Sequence, residues 1–183
     1  FHTGMPSALC ANTRWRTRAA CAAAAKRRVP SSSAAGSPRG SLAAWIAAEG
    51  FKRPDAALPA ERAGRLCKAD LATDMVREFT ELQGTMGGIY AREEGLPDEI
   101  WKAIYFHYLP VGVETDAPPT RQQLGAAAAA WAAVSLADKL DSVVGMFSAG
   151  ERPTGSRDPL GLRRQVQGAV KILADLPDVT GLD

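Results

Sequence analysis

Residues 122–148 read QQLGAAAAAWAAVSLADKLDSVVGMFS. The run holds no proline, and at 1.5 Å per residue it makes one helix about 40 Å long. Around its C-terminal half Val134, Leu136, Leu140, Val143, Val144 and Phe147 occupy most of the circumference, which predicts a central helix buried on nearly every side. Ser135, Asp138 and Ser142 break that surface as a polar line at i, i+3 and i+7. A carboxylate in such a setting needs a metal, a cation or backbone donors.

Reading toward the C-terminus, GERPTGSRDPLG at 150–161 is a loop. A last helix over about 160–173 then places Leu162, Val166, Ala169, Val170 and Leu173 on a buried face and leaves Arg163, Arg164 and Lys171 toward solvent. Reading toward the N-terminus, residues 111–120 form a loop. Before it, Pro97 followed by Asp98 and Glu99 starts a helix that carries Ile100, Trp101, Ile104, Tyr105 and Tyr108 and stops at Pro110. A further helix over about 80–92 presents Leu82, Met86, Ile89 and Tyr90. Its Gly84, Gly87 and Gly88 each cost roughly 1 kcal/mol against alanine. Close helix packing explains them, and so does a phosphate-cradling loop, although the latter lacks both a preceding strand and a GKS or GKT ending. Upstream, a helix over about 60–79 has Cys67, Leu71, Met75 and Phe79 in i+4 steps, residues 54–59 read as a linker, and Leu42–Glu49 is a short helix ending at Gly50. Nothing alternates with period two long enough for a sheet. The expected fold is all-α, one globular domain over 42–175, with 176–183 as an end segment.

Residues 1–41 have another texture, rich in Ala, Arg, Ser and Pro. The first 44 residues hold seven Arg or Lys and no acid, whereas from Trp45 onward 15 basic residues face 20 acidic ones. The overall charge of +2 describes neither part. Such a segment buries too little surface to order itself. It reads as a phosphate-attracting basic tail, as a targeting peptide, or as the product of a shifted reading frame in GC-rich DNA. The abrupt start of patterned sequence at Leu42 favours the last, and Phe1 in place of an initiator Met suggests a fragment. Cys10, Cys21 and Cys67 have neither CxxC spacing nor an even count, which points away from disulfides and zinc and toward a reducing cytoplasm. No apolar run approaches the roughly 20 residues of a membrane span.

In this helical frame the polar marks resemble the HD phosphohydrolase arrangement, in which a His, a His-Asp pair and a late Asp bind a divalent metal. Asp138, in SLADKLD, falls at the late aspartate. The earlier pair falls at Ala69-Asp70 in CKADLATD, with alanine where the metal-binding histidine belongs. The two histidines of the chain are His2 and His107, so a complete ligand set cannot be assembled and metal affinity should collapse. No metal site is therefore assigned. Asp70 and Asp138 are expected to be remnants facing one another across a helix pair, with Lys68 or Lys139 as counter-charge, and His107 a packed or surface residue beside Tyr105 and Tyr108. A stand-alone metal-dependent phosphohydrolase is the alternative. With no GxSxG, no Cys-His pairing and no ATP motif, no catalytic residue is assigned. Arg157, Arg163 and Arg164 are the basic cluster best suited to meet a phosphate backbone, or else a solvated face.

The strings KADLATDMVREFTELQGTMGGIYAREEG (68–95), HYLP (107–110), SLADKLDSVVGMFSAG (135–150) and PTGSRDPLGLRR (153–164) resemble, in order and spacing, the middle of the beta subunit of bacterial glycyl-tRNA synthetase. The resemblance implies an HD-like helical bundle within a cytoplasmic enzyme of two alpha and two beta subunits. In that enzyme the alpha subunit uses ATP to form glycyl adenylate, and the beta subunit serves tRNA-Gly. This region would then bind no cofactor and catalyse nothing itself, and its partners would be the alpha subunit and tRNA-Gly. The beta subunit's anticodon-binding domain would lie beyond Asp183. Residues 3–41 depart from the family's pattern, which puts the first helix of the domain in doubt.

Overall fold

The computed structural model describes residues 37–111, 118–151, 153, 158 and 160–180, and all regular structure among them is helical. The irregular basic segment to residue 36 lies outside the described residues. Helix α1, Pro38–Trp45, runs into a wider π-helical turn at Ile46–Gly50, closed by the Phe51 amide on the Ile46 carbonyl at 2.8 Å. It begins four residues before the expected start at Leu42, with Pro38 in the first turn, where a missing N–H costs nothing.

Helix α2, Pro54–Leu66, takes in the stretch expected to be a linker. Pro54 and Asp55 open it as proline and an acid should, and Ala56, Ala60 and Ala63 make a buried i, i+4, i+7 stripe that carries the helix past Pro59. Helices α1 and α2 touch through two glycines: a Cβ on Gly64 would lie 3.0 Å from the Gly40 Cα.

The single helix expected over 60–79 is broken. After α2 comes a 3-10 turn at Ala69–Ala72, then the short helix α3, Asp74–Glu78. The break is made by Thr73, whose hydroxyl donates to the Asp70 carbonyl at 2.7 Å and accepts the Val76 amide as an N-cap. Leu71 and Phe79 consequently face solvent rather than the expected stripe.

After a 3-10 turn at Thr80–Leu82 follow α4, Thr85–Glu93, and α5, Asp98–Phe106. Of the two explanations for the glycines, close packing is what the structure shows. A Cβ on Gly88 would sit 2.4 Å from the Tyr105 Cβ, so α4 and α5 meet almost backbone to backbone.

The short helix α6, Arg121–Leu124, opens with a capping box from Thr120 and Gln123 and leads through a 3-10 turn into α7, Ala128–Ser148. Helix α7 packs against α1, α2, α5, α8 (Leu162–Asp175) and α9 (Pro177–Thr180). Every residue from Ala127 to Lys139 is buried, with Trp131 wholly enclosed among alanines small enough to let four long helices close round them. The central helix is thus confirmed for its first half only. From Leu140 to the end of α7 no side chain is fully buried, Asp141 to Val143 being half-buried and the residues after them exposed. Helix α8 departs from expectation in the same way: it buries Leu162, Gly168, Ala169 and Ile172, while Val166, Val170 and Leu173 are exposed.

Candidate functional site

The residues singled out by sequence converge where α2 ends, α4 begins, α5 ends and α7 passes. The 3-10 turn after α2 swings Asp70 fully into the interior. There its Oδ2 accepts the amides of Gly84, at 2.6 Å, and Gly87, at 3.2 Å. These are the N-cap and N3 positions of α4, which has no capping side chain of its own. Asp70 therefore serves as the helix's cap from a distance, its charge at the positive end of the helix dipole. Gly84 has φ +78°, and a Cβ there would meet the Tyr108 ring at 2.7 Å. Only glycine gives this amide the room and the backbone angle it needs.

Lys68, two residues earlier, directs its ammonium inward. The Nζ donates to Asp138 Oδ2 at 2.7 Å and to His107 Nε2 at 2.9 Å, and lies 3.7 Å from the centre of the Tyr108 ring. Because an ammonium has no lone pair, Nε2 must be the acceptor. The His107 proton then sits on Nδ1, which donates to the Ile104 carbonyl at 2.7 Å. Burial, and next the Lys68 charge, push the imidazole down to about 3, so it is neutral. Arg39 completes the arrangement, with Nε 3.5 Å from Asp138 Oδ1 and 2.8 Å from Asp141 Oδ2.

A second set of contacts explains the polar side chains on α7. Trp131 Nε1 donates to the Phe106 carbonyl at 2.9 Å, Ser135 Oγ to the Leu109 carbonyl at 2.8 Å, and Lys139 Nζ to the Tyr108 carbonyl at 3.1 Å and to Ser135 Oγ at 2.9 Å. At i, i+4 and i+8 these three satisfy the carbonyls that the end of α5 leaves open. Lys139 is 2% exposed, and burial lowers its ammonium to about 8.

Asp70 and Asp138 thus belong to one buried region, held by different means: the first by backbone amides, the second by Lys68. Of the two lysines named as counter-charges, Lys68 takes that role and Lys139 caps α5. The polar line Ser135, Asp138, Ser142 is not a ligand set, since Ser142 Oγ donates to the Asp138 carbonyl within the same helix. Arg163 and Arg164 are exposed on α8, and Arg157 lies outside the described residues. Arg39 was missed, its contacts being a hundred residues away in sequence. The Trp131, Ser135, Lys139 spacing was a usable signal for a shared polar face.

The His107 lone pair is engaged, burial raises the Cys67 thiol to about 11, and Asp70 is buried. Asp70 Oδ1 and Asp138 Oδ1 are enclosed without a hydrogen-bond partner among the described residues. Among the described residues no group of three or more His, Cys, Asp or Glu is arranged to hold a metal, and no helix is long and apolar enough to cross a membrane.

Fold and site together define an all-α module with an internally neutralised polar centre. Residues 38–179 match the family model of the glycyl-tRNA synthetase beta subunit, and the chain belongs to that family. It is 48% identical over 113 residues to the glycine–tRNA ligase beta subunit of Rickettsia typhi, covering 62% of this chain and 16% of that protein. The subunits of Lawsonia intracellularis and Phenylobacterium zucineum are 47% and 46% identical over 134 and 136 residues, or 73% and 74% of this chain. The chain spans 16–18% of the length of these relatives.

Proposed function

We propose that this chain is a noncatalytic, HD-like module of a glycine–tRNA ligase beta subunit. It would support ATP-dependent attachment of glycine to tRNA-Gly in the cytoplasm, alongside an alpha subunit that carries the chemistry. The observation that carries this reading is the Lys68 ammonium, bonded to both His107 Nε2 and Asp138 Oδ2. A divalent ion there would have to displace the Lys68 ammonium from His107 and Asp138, and alanine at position 69 offers no imidazole in its place. The residues present therefore do not fit the HD metal. ATP would be used by the whole enzyme and not bound by these residues.

For the role within the ligase, exposed Arg163 and Arg164 on α8 favour contact with tRNA phosphates over a purely structural part. Binding of tRNA-Gly by the 183-residue chain should weaken steeply with salt, and Arg163→Ala/Arg164→Ala should flatten that dependence by about two counterions. Binding that ignores both salt and the substitutions would leave a scaffold that holds the alpha subunit. Release of phosphate from nucleotides by the purified chain in Mn²⁺, abolished by Asp138→Ala, would instead establish the stand-alone phosphohydrolase.

A further inference from the structure

Between the end of α2, the 3-10 turn after it, α4 and α5 lies a cavity of about 140 Å³. Its walls are largely hydrocarbon, from Leu66, Ala69, Ala91, Leu96 and Ile104. That volume is close to the roughly 150 Å³ that accepts a benzene ring in an apolar protein interior. Two acids also line it, the fully buried Asp70 and the exposed Glu94, and no lysine or arginine among the described residues does. Because Asp70 Oδ2 is taken by the Gly84 and Gly87 amides, Oδ1 is the carboxylate oxygen left over, enclosed and without a hydrogen-bond partner. A buried anionic oxygen in that state is costly, and a donor that reaches it recovers the cost. Water is a poor candidate, since a held water makes about two to four hydrogen bonds and Oδ1 is the one buried, unpartnered side-chain atom in this lining.

We propose that this cavity binds a small organic ammonium ion, a primary amine on a hydrocarbon body no larger than a single ring or a short alkyl chain. The hydrocarbon fills the space between α2, α4 and α5, the ammonium donates to Asp70 Oδ1, and Glu94 adds a second negative charge. Charge decides the class of ligand. An anion would face two carboxylates with no cation to answer it, and a plain hydrocarbon would leave Oδ1 unpaired. An alcohol would satisfy Oδ1 but forgo the strength of a bond between two ions. The site is separate from the charged cluster described above, since Lys68, His107 and Asp138 do not line the cavity.

Titration of the 183-residue chain with n-butylammonium, 1-butanol and butyrate tests this, followed through the Ile104 methyl and the Gly87 and Ala91 amide signals by NMR. At high salt, where exposed carboxylates are screened, the ammonium should shift these signals saturably. It should bind at least about tenfold more tightly than 1-butanol, and butyrate should leave the signals in place. Ala69→Leu puts a larger side chain into the cavity wall and should remove the binding. Asp70→Asn keeps an acceptor for the α4 amides and should bring the ammonium down to the affinity of the alcohol. The comparison of the three ligands uses the unsubstituted chain, so it stands even where a variant does not fold. Equal affinity for ammonium and alcohol would reduce the site to an apolar void. No saturable shift would mean that the cavity holds water or nothing, and ammonium binding that survives in folded Ala69→Leu would place it elsewhere on the molecule. Each of these three results ends the proposal.

Discussion

At the scale of single residues, the buried centre is governed by which lone pairs are already in use. His107 has its folded-state value lowered to about 3 from an ordinary 6.5, so between these the unfolded chain binds a proton that the folded chain refuses. Stability is then full above pH 6.5 and falls as pH drops toward 3. Unfolding free energies from urea titrations at pH 7 and pH 5 should differ by up to about 2 kcal/mol more in the parent than in His107→Asn, which cannot titrate. An identical loss in both proteins would mean that His107 is accessible or protonated when folded. Lys68 is constrained in a related way. Lys68→Met removes the close counter-charge of Asp138, whose side chain is 5% exposed, and should cost about 3–5 kcal/mol in a urea titration. Replacing both, as Lys68→Met/Asp138→Leu, should cost clearly less than the sum of the single changes. Additive losses would show that the two do not form the unit drawn here.

At the scale of elements, two glycines within helices should respond in opposite directions. In Gly88→Ala the new methyl meets Tyr105 at 2.4 Å, so α4 and α5 must separate, at about 1–3 kcal/mol despite alanine's better helix propensity. In α7, a Cβ on Gly145 meets nothing within 4 Å, and Gly145→Ala should gain up to about 1 kcal/mol. Thermal unfolding of the two variants decides it, and a gain at both would mean that the α4–α5 contact is looser than described. The same distinction accounts for what could be read beforehand. Helix-forming runs and the central place of α7 were legible because periodicity is a local signal. The end of α2 at Leu66 was not, because it depends on Thr73 capping α3 and on Asp70 turning inward to cap α4. Pro59 was mistaken for a linker residue because three buried alanines outweigh the one hydrogen bond it removes. At the candidate site the carboxylates stood out for their apolar surroundings and Lys68 and Lys139 were legible as counter-charges, but the choice of Lys68 for Asp138 required seeing α2 end beside it.

At the scale of the whole molecule, the open matter is where the folded unit begins. A reading from pattern alone starts it at Leu42, because Ala, Ser, Pro and Gly upstream carry no apolar period. The structure ties residues before that point to the far side of the fold: Arg39 reaches Asp138 and Asp141 on α7, and Gly40 lies against Gly64 closely enough that any side chain would strike Arg65 or the Glu61 carbonyl. The Arg39 contacts cross about a hundred residues of sequence, and they close one side of the buried carboxylate that Lys68 closes from the other. Two chains starting at Ser37 and at Leu42 separate the alternatives. The first should keep the urea midpoint of the 183-residue chain. The second loses a charge partner of a buried carboxylate together with the first turn of α1, and should be less stable by about 2–4 kcal/mol. Equal midpoints would return the boundary to Leu42 and make the Arg39 contacts incidental. A graded loss that vanishes at high salt would assign the effect to Arg39 alone, since exposed ion pairs are screened while the helix contact at Gly40 is not.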